Sequence, residues 1–212
     1  MNSRIKLGIS ILTFALILAV MSFGIYAAVM GSYSIKNTIG YQTSPGVFAN
    51  FSGKITGASK TPGQFKMTAD EIPDINLTGF DTRLQNSSSE EEIGDLYFVE
   101  NGDGSAVYEI TFIIKVQNVG TAEADNKTFK LSVALASEMI NNTNNIEYKV
   151  EYASTEDGSR TELAFNTSGE VNKTVETPSV GYDESMYIFI SYNLTTLIET
   201  DNINNQIIIT AR

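Results

Sequence analysis

Apolar and polar side chains alternate along most of the chain after residue 31, and this period of two residues limits the fold more than any other feature. The longest such run is YEITFIIKVQN, whose apolar members on one face are Tyr108, Ile110, Phe112, Ile114 and Val116. Because successive side chains of a strand point to opposite faces, this run predicts a strand with one face in a core. Ile113 on the other face predicts partial cover there too.

The same alternation recurs in short runs. It predicts strands at Gly31–Tyr41, Val47–Ile55, Leu96–Val99, Phe129–Leu135, Ile146–Tyr152, Thr161–Phe165, Val171–Val175, Met186–Leu194 and Gln206–Ala211, with shorter candidates at Phe65–Thr68 and Ile75–Phe80. The first strand carries an irregularity near Asn37. Strands at this spacing without helices between them predict an all-β fold, an antiparallel two-sheet β-sandwich of jelly-roll-like or immunoglobulin-like type. We assign residues 32–212 to this exported sandwich domain.

Polar segments between these runs predict the connections. The sequence SPG at 44–46 predicts a tight turn after the first strand, and Asn202–Asn205 predicts a turn before the last one. The final two strands are therefore expected to form a hairpin. Gln85–Gly94 has almost no apolar residue and is predicted to be a solvated loop, so its acidic triplet, Glu90–Glu92, is interpreted as solvated rather than metal-binding.

Two segments carry the sequence signals of β-hairpins. ENGDGS at 100–105 contains Asn-Gly and Asp-Gly, which favour the positive φ of a tight turn, and it predicts a hairpin that joins 96–99 to 106–118. The hexapeptide also faintly resembles a calcium loop, but it lacks the ligand spacing and the distal Glu of an EF-hand. EDGS at 156–159 predicts a second hairpin, between 146–152 and 161–165.

The N-terminal segment predicts where the protein is located. No charged residue occurs from Leu7 to Met30, while Arg4 and Lys6 precede this stretch. A helix of roughly 20 apolar residues spans a bilayer core of about 30 Å, and basic residues at its start stay on the cytoplasmic side. Residues 1–31 are therefore predicted to be a signal peptide or a signal-anchor transmembrane helix, with the rest of the chain exported.

Two interpretations of this segment stay open. Small residues place candidate cleavage points after Ala27 or Gly31, whereas the apolar stretch is longer than the 7–15 residues, roughly, of a secretory signal. Cleavage by a signal peptidase would give a secreted or cell-surface protein, and retention would give a single-pass membrane protein with its N-terminus inside. A buried helix of a soluble domain is disfavoured, because no other segment has the helical amphipathicity to cover it.

The composition of the chain excludes several classes of function. The formal net charge is -11, and because residues 1–31 hold only Arg4 and Lys6 as charged groups, the remainder carries -13. Nucleic acid is therefore not expected as a partner, since phosphate binding needs a basic surface. The absence of cysteine excludes disulfides, thiolate metal sites and thiol nucleophiles, and the absence of histidine excludes Ser-His-Asp hydrolysis and HExxH zinc proteolysis.

Several segments together resemble the TasA/camelysin-like exported surface proteins of low-GC Gram-positive bacteria. They are FGIYAAVMGSYSI at 23–35, NTIGY at 37–41, VFANFSGKITGA at 47–58, KVQNVGTAEA at 115–124, and YIFISYNL with NNQIIITAR at the end of the chain. The resemblance implies a β-sandwich, export through a dedicated signal peptidase, and a role in cell-surface or biofilm-matrix fibres. In such fibres an N-terminal extended segment can insert into a neighbouring sheet, and Ser32–Tyr41 matches it here. Camelysin-type proteolysis is not carried over, because this chain has neither histidine nor HExxH.

These observations favour a non-enzymatic structural or adhesion protein with the capacity to self-associate through strand addition. The intramolecular alternative, in which Ser32–Tyr41 pairs within its own domain, is favoured over donation of this segment to another copy. A second hypothesis is an extracellular ligand-binding module for calcium or glycan, with oxygen ligands from acidic segments at 70–71, 90–92, 103, 156–157 and 183–184. A glycosidase would need a carboxylate pair that the sequence does not mark. We therefore predict no catalytic residue, no metal site and no cofactor.

Overall fold

All regular secondary structure in the described part of the chain is β-strand. The structure, a computed structural model, describes residues 34–61, 72–77, 83–85, 87–98, 108–120, 128–137, 146–164, 172–194 and 203–212. No helix long and apolar enough to cross a membrane occurs among these residues. The apolar segment, the run at 65–68, the ENGDGS segment, Asp70, Glu71 and Asp103 lie outside them.

The strands of the described residues are numbered in chain order. They are β1 (Ser34–Thr43), β2 (Phe48–Thr56), β3 (Ala58–Ser59), β4 (Ile75–Leu77), β5 (Arg83–Gln85), β6 (Ser88–Phe98), β7 (Tyr108–Asn118), β8 (Phe129–Ser137), β9 (Ile146–Ala153), β10 (Thr161–Glu162), β11 (Asn172–Val180), β12 (Ser185–Leu194) and β13 (Ile203–Ala211). Most of the predicted strands are therefore confirmed within a few residues at each end.

The described strands form two sheets. Sheet 1 has the order β11-β8-β13-β1-β6-β3, and sheet 2 has the order β10-β9-β12-β7-β2-β4, with β5 beside the start of β2. Among the described pairings, β1 with β13 is parallel and the others are antiparallel. The prediction of an all-β, two-sheet sandwich is confirmed.

Consecutive long strands lie in opposite sheets, and this overturns two predicted hairpins. β6 pairs with β1 in sheet 1, whereas β7 pairs with β12 in sheet 2, so the segment with ENGDGS connects the sheets instead of closing a hairpin. β12 and β13 are divided between the sheets in the same way. Asn-Gly and Asp-Gly make a turn easy to form, but the burial of each strand's apolar face selects its partner.

Two further predictions about local structure are corrected. Residues 203–205 belong to β13 rather than to a turn, and most of the polar segment at 85–94 belongs to β6, where it pairs with β1. Polar residues can form this strand because its outward side chains meet water while its backbone groups pair with β1. The register of β1 with β6 shifts at Asn37 and Thr38, since β6 has one extra residue there. Gly94 supplies the positive φ of +76° that this bulge uses.

The core lies between the sheets and uses the inward faces that the alternation predicted. On the inward face of β7, Ile110, Phe112, Ile114 and Val116 have no exposed area. The facing strands of sheet 1 contribute further fully buried residues, namely Ile39, Leu131, Val133, Ile207 and Ile209. Burial of a side chain of this size stabilises the fold by about 1.5–3 kcal/mol.

A second, smaller apolar cluster lies on the outward face of sheet 2. It consists of Ile113, Ala153 and Phe189, with Tyr187 packed against it. Phe189 has no exposed area although its neighbours in β12 on either side, Ile188 and Ile190, face the main core. The partial cover that Ile113 predicted on this side is therefore present.

The cover comes from residues 154–160, the connection between β9 and β10, which we call the strap. At its end, the Arg160 guanidinium lies 3.9 Å from the ring centroid of Phe189. At its start, Glu156 binds the Nζ of Lys54 on β2 at 2.7 Å, and Asp74 binds the same Nζ at 2.8 Å. Hydrogen bonds from Lys54 to Asp74 and Glu156 raise the pKa of Lys54. The predicted hairpin at 156–159 is confirmed, since β10 pairs with β9, and its loop contacts Lys54 and Phe189 on the outward face of sheet 2.

Replacing the buried ring tests this packing. We expect Phe189→Ala to lower the free energy of unfolding by about 3–5 kcal/mol, because it leaves a cavity beneath the strap. Urea denaturation measures this loss. The control is Tyr182→Ala, because Tyr182 is an aromatic residue with 44% exposure, and its loss should be within about 0.5 kcal/mol of zero. Equal effects of the two substitutions would contradict the burial of Phe189.

Candidate assembly site

The strand predicted as a donor, Ser32–Tyr41, corresponds to β1, which lies in the middle of sheet 1. β13 pairs with it along one side, from Ile35 opposite Ile203 to Thr43 opposite Ala211. β6 pairs with it along the other side. Both rows of backbone groups of β1 are therefore used within its own chain, as the intramolecular alternative predicts.

The inward face of β1 contributes to the main core. Asn37 and Ile39 have no exposed area, and Tyr41 retains 1%. The Tyr41 ring packs against Phe51 of sheet 2, with ring centroids 5.0 Å apart. Burial raises the pKa of Tyr41, so its phenol stays protonated at physiological pH. β1 is thus part of the core that joins the two sheets.

Asn37 is the centre of a buried polar network. Its Oδ1 accepts a hydrogen bond from the Tyr192 hydroxyl of sheet 2 at 3.2 Å and another from Asn205 Nδ2 of β13 at 2.9 Å. Burial raises the pKa of Tyr192 well above its usual value, which keeps the hydroxyl as a donor. The network therefore joins β1 both to its parallel neighbour and to the opposite sheet.

This network specifies the register of β1. Asn37 lies directly opposite Asn205, and the inward positions two residues away are isoleucines, Ile39 on β1 and Ile207 on β13. A slip of two residues would keep the apolar face inward but would place each asparagine opposite an isoleucine. A buried polar group that loses its partner costs about 1–3 kcal/mol, so the network disfavours the slipped pairing.

A single tight turn connects β1 to the rest of the sandwich. The backbone N–H of Val47 donates to the carbonyl of Ser44 at 3.0 Å, and Gly46 has a φ of +80°. Proline at the second position and a positive φ at the third are the pattern of a type II turn, as the sequence SPG predicted. The chain passes from sheet 1 to sheet 2 at this turn.

The outer strands of sheet 1 have features that oppose further strand addition. In β11 the pairing with β8 is interrupted between Glu176 and Ser179, around Pro178. At the other side β3 has two residues, and Lys60 Nζ donates to the carbonyl of Ile93 at the bulge of β6. Short strands, proline, bulges and lysine are the means by which proteins protect sheet edges.

The acidic segments that the structure describes do not converge on one site. Glu91 lies opposite the buried Ile39, whereas Glu90 and Glu92 lie on the outward face, and Glu92 pairs with Lys36 at 2.9 Å. Glu156 is occupied by Lys54, as described above. Among the residues that the structure describes, no three acidic side chains are grouped so that they could hold a metal ion.

Asp183 and Glu184 belong to a tight turn between β11 and β12. Asp183 has a φ of +57°, and its backbone N–H donates to the carbonyl of Asn118 at 3.0 Å. The Glu184 carboxylate accepts from the backbone N–H of Gly181 at 2.8 Å. These acidic residues therefore stabilise a turn.

Sequence reasoning did not identify the network of Asn37, Asn205 and Tyr192. The available signal is an asparagine at an inward position of each strand, between isoleucines in IKNTI at 35–39 and in INNQI at 203–207. Because the second asparagine was assigned to a turn, the two strands were not recognised as neighbours. The irregularity near Asn37 was predicted correctly, and its extra residue lies in β6.

Comparison with known proteins adds little to this description. No family model matches the chain, and no curated protein matches it. Among solved structures, the full-length major pilin SpaD from Corynebacterium diphtheriae superposes with a TM-score of 0.30 and 11% identity, over 82% of this chain. The chain spans 65% of the length of that pilin. This similarity is too low to support a functional argument.

Substitutions in the polar network test its contribution. We expect Asn37→Ala to lower the free energy of unfolding by about 2–3 kcal/mol, since it leaves Tyr192 and Asn205 without this acceptor. Tyr192→Phe should cost about 1 kcal/mol, because Asn205 still occupies Asn37. The double variant should cost less than the sum, because both substitutions remove the same hydrogen bond. Urea denaturation gives the three values, and strict additivity would argue against this bond.

Proposed function

We propose that this protein is a non-enzymatic structural protein of the cell surface or extracellular matrix whose copies join by exchanging β1. The observation that carries the proposal is the place of β1, a strand at the start of the sandwich that completes the middle of sheet 1. The resemblance to TasA/camelysin-like proteins supports the same role. Anchoring at the membrane or release after cleavage would place the domain outside the cytoplasm.

The contacts of β1 do not depend on which copy supplies it. Without β1, sheet 1 would be divided into β11-β8-β13 and β6-β3, with an open slot between β13 and β6. A strand from an identical chain would place the same Asn37, Ile39 and Tyr41 in that slot. The exchanged and intramolecular forms therefore differ in free energy mainly at the hinge, residues 44–47, and in the entropy of association.

The protected edges of sheet 1 support exchange over lateral addition. A new strand at β11 would meet the interruption around Pro178, and one at β6 would meet the bulge and Lys60. Exchange of β1 instead uses a slot whose residues already match. In a chain of such exchanges each copy would donate β1 to the next copy, which gives a fibre.

Cleavage of the N-terminal segment would control this exchange. β1 begins at Ser34, three residues after the candidate cleavage point at Gly31. In the retained form the start of β1 would be held at the membrane surface, which restricts its movement to another copy. Cleavage after Ala27 or Gly31 would release that end. Cleavage would thus convert a tethered protein into an assembling subunit.

The absence of enzymatic activity is part of the proposal. Without histidine and cysteine the chain lacks the residues of the commonest hydrolytic and thiol mechanisms. The carboxylates of the described acidic segments face different sides of the sheets or stabilise turns and ion pairs. No observation favours calcium binding over the structural role.

Cysteine cross-linking tests the exchange directly, because the chain has no cysteine of its own. Thr38 and Glu92 lie opposite each other on the outward faces of β1 and β6. Opposite residues of antiparallel strands have Cα atoms about 4.5–5.5 Å apart, which suits a disulfide. One chain would carry Thr38→Cys and a second chain Glu92→Cys, each with a tag of different size. Both chains would be produced together in the native cells, and the cell-surface protein would be isolated.

The expected product is a cross-linked pair carrying both tags, which a reductant separates. The control replaces Glu92→Cys with Thr161→Cys, an exposed position on β10 in sheet 2, and should give no such pair. A chain with both Thr38→Cys and Glu92→Cys reports intramolecular pairing. If that chain forms an internal disulfide while the mixed chains remain separate, strand exchange is contradicted.

A further inference from the structure

Gly40 lies in the middle of β1, at a position where the backbone conformation does not require glycine. Its φ is not positive, in contrast to Gly46 and Gly94, so any residue can adopt this backbone. A Cβ atom at this position would lie 3.6 Å from Ile208, which is ordinary van der Waals contact. Glycine weakens the interior of a strand and often marks a place where a ligand or another backbone approaches closely.

Gly40 lines a hollow of about 310 Å³ on the outward face of sheet 1. In the register of the sheet, Gly40 lies between Ile208 of β13 and Glu90 of β6. The remaining lining residues are Tyr41, which is almost fully buried, and four polar residues, Gln42, Ser88, Ser89 and Gln206. The outward face of sheet 2 differs, because the strap covers its apolar cluster.

The groups around the hollow indicate the chemistry of a ligand. The amides of Gln42 and Gln206 and the hydroxyl of Ser88 each donate and accept hydrogen bonds, as sugar hydroxyls do. Ile208 and the backbone of Gly40 offer an apolar surface for the C–H face of a ring. One carboxylate, Glu90, is too few for a metal ion, and with the net charge of -11 it opposes an anionic ligand.

We propose that this hollow binds a neutral saccharide unit. Its volume is at the lower end of the range for ligand pockets, which suits one or two sugar rings. Glu90 and the two glutamines accept and donate hydrogen bonds at the ring hydroxyls, and Gly40 allows the ring to approach the sheet. The site needs β1 in place but not a particular copy of β1, so it goes beyond the proposed assembly and does not depend on it.

Saturation-transfer NMR with the full chain tests this site. The chain would be held in a detergent without a sugar head group, because a glycosidic detergent would compete for the hollow. The probes are diacetylchitobiose, which represents amino-sugar polymers of cell walls, and cellobiose, maltose and mannobiose, which represent neutral exopolysaccharides. We expect transfer of saturation to the ring protons of at least one probe, and the probe that responds identifies the source.

The decisive variant is Gly40→Val, which places a branched side chain in the hollow at a position where valine suits the strand. We expect it to lose the saturation transfer while its melting temperature is equal to or above that of the original chain. The matched control is Thr38→Val, on the same face of β1 but outside the hollow, which should keep the transfer. Gln206→Ala, which removes an amide without filling the hollow, should weaken it. The proposal is overturned if none of the four probes responds, or if Gly40→Val binds like the original chain.

Discussion

The parallel pairing of β1 with β13 holds sheet 1 together. These strands come from opposite ends of the described chain, and β1 alone connects the β11-β8-β13 part of the sheet to β6 and β3. Contacts so distant in sequence form only after a large loss of chain entropy, so they need strong specification. The buried hydrogen bonds from Tyr192 and Asn205 to Asn37 provide this specification, because they form in one register and are lost in a slipped register.

The two outward faces of the sandwich differ in how their apolar residues are covered. On sheet 2 the outward row of Lys54, Ile113, Phe189 and Glu151 contains two apolar residues, and the strap covers them while Lys54 and Arg160 hold its ends. On sheet 1 the outward row through Gly40 lines a hollow instead. In the described part of the chain, one face therefore carries a covered apolar cluster, the other face carries a hollow, and the edges of sheet 1 oppose further pairing.

Much of the fold follows from the sequence because strand formation is local. The alternation around β7 and β8 predicted their buried faces, and SPG predicted the turn at 44–46, since proline and glycine restrict the backbone directly. The errors concern partners. ENGDGS and the segment at 202–205 have strong turn composition, but neither joins two paired strands. The acidic run in β6 has the composition of a loop, yet it forms a strand because its backbone pairs with β1. The candidate assembly strand was predicted, whereas the network that fixes its register was not.

The sequence by itself determined the class of the fold, the inward and outward faces of most strands, and the absence of thiol and imidazole side chains. These properties depend on side chains close together along the chain, where alternation and composition act directly. Only the tertiary structure decided that each long strand crosses to the opposite sheet, that β1 lies between β13 and β6, and that Gly40 forms the floor of a hollow. Those outcomes depend on which distant surfaces bury each other most completely, and no local pattern carries that information.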